Sequence, residues 1–193
     1  MKIVGVGCGP KMLTEEAIVA IRSAHRIFGS RRAIELAREH LPSNADVQEI
    51  HDFHALADIP EDAVILSTGD PMLSGLGSLS GEVIPGISSL QVAVARIRIP
   101  LERICAVTAH GCDHVGAIQE AVEEIIRGRA VFITAEPAFS LETLAAALRK
   151  VNPELKIAIF EDLGYPTERI AVGTADAPPV VRSRLFSLLA GDF

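Results

Sequence analysis

Ala63-Val64-Ile65-Leu66-Ser67-Thr68-Gly69-Asp70-Pro71 is the stretch that decides how this chain folds. Ala63 to Leu66 is an unbroken apolar run, the length of a strand buried on both faces, and Gly-Asp-Pro then stops it in a turn. Such strands belong to layered α/β arrangements, where ligands bind beyond the carboxyl ends of an open sheet. Asp70 is therefore a candidate site residue. The alternative is an aspartate that caps the helix opened by Pro71, the default for Asp before Pro.

Two neighbouring stretches repeat the arrangement. Val83-Ile84-Pro85-Gly86-Ile87-Ser88-Ser89 joins a strand to a helix through one glycine and two hydroxyls. Lys2 to Val6 runs into Gly7-Cys8-Gly9-Pro10. With Gly5 and Gly7 in place, a dinucleotide fingerprint needs a third glycine where Pro10 stands, and the acid expected about 20 residues further on is missing near Ala24 to Ser30. A phosphate-cradling loop fails as well, because Lys11 follows Pro10 and precedes Met12, not a Ser or Thr. Each turn alone is an ordinary strand-to-helix connection. Three of them at the ends of buried strands indicate backbone brought close to a ligand.

Strand-like runs at Lys2 to Val6, Val47 to Ile50, Ala63 to Ser67, Glu82 to Ile84, Ile104 to Thr108, Ala130 to Thr134, Leu155 to Phe160 and Arg169 to Val172 alternate with helical patterns. Thr14 reads as a helix cap with Glu15 and Glu16 in the first turn, and Ser30 to His40, Ser89 to Arg96, Val115 to Arg127 and Ser140 to Val151 follow the same logic. This alternation predicts an α/β fold with a largely parallel sheet. A change of pattern around Ile99 to Gly111 predicts two α/β lobes, residues 1–110 and 111–193.

A chain of 193 residues with 49% hydrophobic content can bury a core of its own. It has no membrane-span run, and glycines break its apolar start before a signal-peptide core. Three cysteines argue for a reducing, cytoplasmic compartment, with Cys8 and Cys105 as small buried hydrophobes. A net charge of −7 argues against nonspecific nucleic-acid binding, and one tyrosine and no tryptophan leave little for base stacking, so neither nucleic acid nor membrane is an expected partner. His110-Gly111-Cys112-Asp113-His114 concentrates metal-ligand types, but no second ligand cluster is present to close a tetrahedral site, so no metal is expected. His25, His40, His51 and His54 read as surface or loop residues.

The motifs VGVGCGP (4–10), STGDPMLSGLG (67–77), VIPGISSLQVAVARIRIP (83–100), AHG (109–111) and FEDLGYPTERI (160–170) together resemble the tetrapyrrole methylases, in order and spacing, over most of the chain. The resemblance implies the two-lobed tetrapyrrole methylase fold with S-adenosylmethionine in the cleft between the lobes. It also implies contacts by Pro10, by Gly69, Asp70 and Leu73 along the amino-acid and ribose portions, by Ser88 and Ser89, and by Thr134 and Gly164 from the second lobe. Within the family, IPGISS and LGYPTERI point to methylation of carbon 5 of cobalt-precorrin-7 in cobalamin biosynthesis. Two departures stand out: Ala135-Glu136-Pro137 replaces the common Thr-Asp-Pro, and PPVVRSRLFSLLAGDF (178–193) does not match the usual final strand.

A corrinoid substrate carries several carboxylates, so an acidic protein must concentrate cations at its site. Arg31 and Arg32 are the first candidates, with Arg96, Arg98 and Arg103 as alternatives, and each is equally readable as a solvated helix face. No nucleophile triad is visible, which suits an in-line methyl displacement; Asp70 and His110 are the candidate bases. The resemblance implies a homodimer. The roughly 20 residues after Gly173 are fewer than the ~100 of a typical separate domain, so methylation and decarboxylation at carbon 15 are expected of a separate partner enzyme. The competing functions are a sister methylase of this fold, of the diphthine synthase or ribosomal RNA type, and a non-catalytic ligand-binding α/β module.

Overall fold

Thr14 and Ser30 start the first two helices by accepting the amide N–H groups of Ala17 and Ala33, at 3.1 and 3.2 Å. The computed structural model describes residues 1–51, 59–111 and 113–193. The chain divides into two units, Met1–Ser89 and Leu90–Phe193. The two helices are α1, Glu15–Arg22, and α2, Arg31–Ala37. They alternate with strands β1, Lys2–Gly5, β2, Arg26–Gly29, and β3, Asp46–Glu49, followed by β4, Val64–Ser67, α3, Pro71–Ser74, and β5, Glu82–Ile84.

The five strands form one sheet in the order β3-β2-β4-β1-β5, and every neighbouring pair is parallel. Val4, Val64 and Leu66 pack with Ala17, Ile21 and Ala33 from α1 and α2 in one apolar cluster. β1 and β4 lie inside the sheet and their residues are almost wholly buried, so they read as continuous apolar runs without alternation. β2 has no counterpart among the strands expected from sequence. It has four residues, opens on an exposed arginine and ends where a Phe-Gly-Ser turn is the simpler reading.

The second unit begins within α4, Ser89–Ile97, and continues through β6, Ile104–Ala109, α5, His114–Ile126, β7, Ala130–Ala135, α6, Leu141–Val151, β8, Lys156–Glu161, β9, Arg169–Thr174, and β10, Phe186–Gly191. Its sheet runs β6-β7-β10-β8-β9. Only β6 and β7 pair in parallel; β10 is antiparallel to both β7 and β8, and β8 is antiparallel to β9. The largely parallel expectation therefore holds for the first sheet and is corrected for the second, where the chain's last strand enters the middle from the opposite direction. All six β10 residues are buried, and a short run that is apolar but for Ser187 gives no alternation to separate strand from helix. On one side of this sheet Ala117, Ala121 and Ile125 of α5 and Leu144 and Leu148 of α6 close a second cluster with Val131, Ile157 and Leu188.

Cys8 is buried as expected, whereas Cys105 is half-buried. His25 and His51 are exposed and His40 is half-buried; His54 and Cys112 lie outside the described residues. Among the described residues no helix is long and apolar enough to cross a membrane.

Candidate functional site

The carboxyl ends of β1, β4 and β5, adjacent in the first sheet, lead into the three turns singled out by sequence. Their backbones are joined. The Gly69 amide donates to the Gly7 carbonyl at 2.8 Å and Gly7 returns the bond at 3.3 Å, an isolated antiparallel bridge between the first two turns. The Cys8 amide donates to the Ile87 carbonyl at 3.0 Å, tying the first turn to the third.

Asp70 completes the connection. One carboxylate oxygen accepts the Met72 amide at 2.8 Å and caps α3, and the other accepts the Gly86 amide at 2.9 Å. The capping role and the site role of this residue are thus compatible. Both oxygens are engaged by backbone N–H groups, which makes Asp70 an anchor between the second and third turns.

The glycines have a steric reason. A Cβ on Gly86 would lie 2.2 Å from the Gly69 carbonyl oxygen, and one on Gly5 would lie 2.5 Å from the Gly86 nitrogen. Side chains cannot fit between these backbones. Gly69 differs: its φ of 72° is a left-handed conformation that disfavours side chains, yet the space beside it is open, with only the Ser88 Cα at 3.9 Å. The turn cluster therefore has a bare floor at Gly69, bordered by the Ser88 backbone; Ser88 is buried, Leu73 and Ser89 are half-buried and Pro10 is exposed.

Of the two arginines that open α2, Arg31 is exposed, while half-buried Arg32 donates from Nη2 to the Cys8 carbonyl at 3.1 Å. The alternatives separate as well. Arg96 holds Glu168 through Nε at 2.6 Å and Nη2 at 3.2 Å, whereas Arg98 and Arg103 are exposed.

In the second unit, Thr134 is buried in β7 and donates to the Thr108 hydroxyl at 3.0 Å across the register that pairs these residues. Gly164 sits in the β8–β9 connection and donates its amide to Glu168 at 2.7 Å. In the sheet, β7 and β8 are separated by β10. His110 follows β6 and is mostly exposed, with Nδ1 3.9 Å from Glu136. Among the described residues no group of three or more His, Cys, Asp and Glu is placed to hold a metal ion.

Sequence alone does not single out the carboxylates that organise these loops. Glu136, after β7, contacts the His114 Nε2 at 2.8 Å and accepts the Gly111 amide at 3.4 Å, and the His114 ring packs edge-on against Phe139 at 5.6 Å. These partners are brought together only by the pairing of β6 with β7. The bond to His114, the Gly111 amide and the nearby imidazoles outweigh desolvation and hold Glu136 below the ordinary carboxylate range. Arg96 does the same for Glu168, again against desolvation.

A carboxylate whose folded-state pKa is depressed stabilises the fold above its unfolded value and loses that contribution as pH falls through the folded value. The contributions of Glu136 and Glu168 are accordingly complete above about pH 4.5, the ordinary glutamate value, and fade below it. Thermal unfolding midpoints measured from about pH 3 to 7 should show this acid limb, and E136Q and E168Q should each flatten it. An unchanged limb in both variants would contradict these ion pairs.

A family model described as tetrapyrrole (corrin/porphyrin) methylases matches residues 2–179. A probable cobalt-precorrin-7 C(5)-methyltransferase of Methanocaldococcus jannaschii is 29% identical over 187 residues, 88% of this chain and 87% of that protein. A decarboxylating precorrin-6Y C(5,15)-methyltransferase of Mycobacterium tuberculosis is 27% identical over 91% of this chain, which spans 46% of that longer protein. Among solved structures, the precorrin-6Y methylase of Archaeoglobus fulgidus superposes with a TM-score of 0.78 at 29% identity, over 99% of this chain and 97% of that one.

Proposed function

This chain belongs to the tetrapyrrole (corrin/porphyrin) methylases, S-adenosylmethionine-dependent C-methyltransferases, and from that membership we propose that it methylates carbon 5 of cobalt-precorrin-7. The observation that carries the reading is the turn cluster of the first unit. It is a set of backbones locked by reciprocal hydrogen bonds, with a side-chain-free floor at Gly69. Such a floor suits a flat nucleoside ligand held by backbone groups. Pro10, Gly69, Asp70, Leu73, Ser88 and Ser89 are the contacts proposed for it, and the family cofactor fits a set made up of backbone groups, two hydroxyls and one carboxylate that is itself held by backbone amides. The choice of carbon 5 rests on the C(5) relative, which the chain matches over most of that protein's length.

Held by the turns at Gly69, Asp70, Ser88 and Ser89, S-adenosylmethionine would supply an electrophilic methyl group to a ring carbon of the substrate. The protein's part is alignment and exclusion of water. Asp70 fixes the second turn against the third, the Gly7–Gly69 bridge fixes the first against the second, and Arg31 offers an exposed cation for a substrate carboxylate.

The test supplies the purified chain with S-adenosylmethionine and cobalt-precorrin-7 and records product mass and carbon dioxide. One added methyl without decarboxylation is the expected result; no methyl transfer, or transfer coupled to decarboxylation, would overturn it. Gly69→Val is the matching variant. The left-handed backbone costs about 1–2 kcal/mol for a residue with a Cβ and more for β-branched valine, and the Cβ itself meets open space, so the protein should still fold, while the valine occupies the floor and abolishes S-adenosylhomocysteine binding by calorimetry. Unchanged affinity in folded protein would remove the floor from the site.

A further inference from the structure

The two arginines that open α2 occupy different environments. Successive helical residues point about 100° apart, so the cap at Ser30 sends Arg31 to solvent and turns Arg32 inward. There Arg32 Nη2 donates to the Cys8 carbonyl at 3.1 Å. Its Nε is shielded from solvent and has no hydrogen-bond partner among the described residues. A shielded N–H without an acceptor is costly to keep, and a solvated surface charge does not explain it.

Its partner is a peptide at the centre of the turn cluster. The Cys8 amide donates to Ile87 in the third turn, and the Cys8 carbonyl receives Arg32 from α2. The peptide groups on either side of Cys8 are thereby fixed from opposite directions. Two residues later comes exposed Pro10, and then Lys11 at a φ of 62°, so any movement at Cys8 is transmitted to a tightly turned rim.

We propose that Arg32 is the positioning residue of the first turn, holding the Cys8–Pro10 backbone in place for S-adenosylmethionine, and that Arg31 alone of the pair is available to a substrate carboxylate. This rests on the reading that the cofactor lies on the turns of the first unit. Arg32 then controls cofactor affinity through backbone geometry, and Arg31 controls the affinity for an anionic substrate through charge.

The experiment compares wild type, R31Q, R32Q and R32K by calorimetry with S-adenosylhomocysteine and by steady-state kinetics in both substrates. R32Q should weaken S-adenosylhomocysteine about tenfold and raise the KM for S-adenosylmethionine similarly, with kcat and the corrinoid KM near wild type at saturating cofactor. R32K should recover only part of the affinity, since an ammonium supplies a donor but not the planar fork. R31Q should leave S-adenosylhomocysteine binding unchanged and raise the corrinoid KM. Wild-type cofactor affinity in R32Q, or a loss confined to the corrinoid, would overturn the proposal. If R32Q does not fold, R32K decides: wild-type affinity in that variant overturns it and a several-fold loss supports it. Failure of the wild type itself to bind S-adenosylhomocysteine would overturn the underlying reading, a distinguishable result.

Discussion

Replacing Gly86 by alanine is expected to unfold the first unit, with a loss of about 3 kcal/mol or more. The new methyl group would sit 2.2 Å from the Gly69 carbonyl oxygen and 2.8 Å from the Gly5 backbone. No flexible side chain stands in the way to rotate aside. The obstacles are the main chains of two other strand ends, themselves hydrogen-bonded to their neighbours. Moving either would break the Gly7–Gly69 bridge or the bond from the Gly86 amide to Asp70. Gly5→Ala should behave alike, because the collision is mutual. Gly69→Ala provides the contrast, since it meets only open space and backbone strain of about 1–2 kcal/mol. Denaturant titrations of the three variants measure the difference. Wild-type stability in Gly86→Ala would show that the three turns do not approach as closely as described.

The second large effect is expected at Glu161, at the end of β8. Its side chain is 2% exposed and accepts the amides of Arg182 and Ser183, the latter at 2.8 Å, as well as the Arg169 guanidinium. Burial alone would raise its pKa, but the two amides and Arg169 prevail and hold it low. Arg169 in turn donates to the Val180 carbonyl at 3.2 Å. One carboxylate thus fastens the 180–183 segment that delivers the chain into β10. Glu161→Ala leaves two amides without their acceptor and Arg169 without its carboxylate partner, and should cost about 3–5 kcal/mol. Glu161→Gln keeps the volume and one acceptor, so it should cost less. Thermal unfolding gives the size of the loss, and amide exchange in β10 its location. A loss under about 1 kcal/mol in the alanine variant would count against this role.

The three turns of the first unit were legible in the sequence because glycine and proline at the ends of apolar runs carry local information. The stop at Gly69-Asp70-Pro71 is dictated by neighbours in the chain. Thr14 and Ser30 were legible for the same reason, as caps act within one helical turn. What escaped depends on distant residues. β2 is too short for a period, and β10 is buried on both faces, Ser187 included, so it shows no alternation. Glu136 finds His114 only after β6 and β7 have paired, and Glu161 finds its amides more than 20 residues along the chain. The separation of Arg31 from Arg32 is likewise a matter of environment: adjacent residues of like charge look interchangeable until a helix turns one of them inward.

The position of β10 also has a consequence for the order in which the protein is made. Four strands of the second sheet precede residue 186 in the order of synthesis, and β6 and β7 can pair as one ribbon and β8 and β9 as another before β10 is available. Nothing yet joins the two, because β7 and β8 each pair with β10 and not with one another. Until the last strand emerges, both ribbons carry an open, apolar edge of unpaired amides and carbonyls, the kind of surface on which nascent chains associate. Synthesis of residues 186–191 is thus the step that converts two sticky ribbons into one sheet, and stalling just before it leaves the second unit most in need of a chaperone.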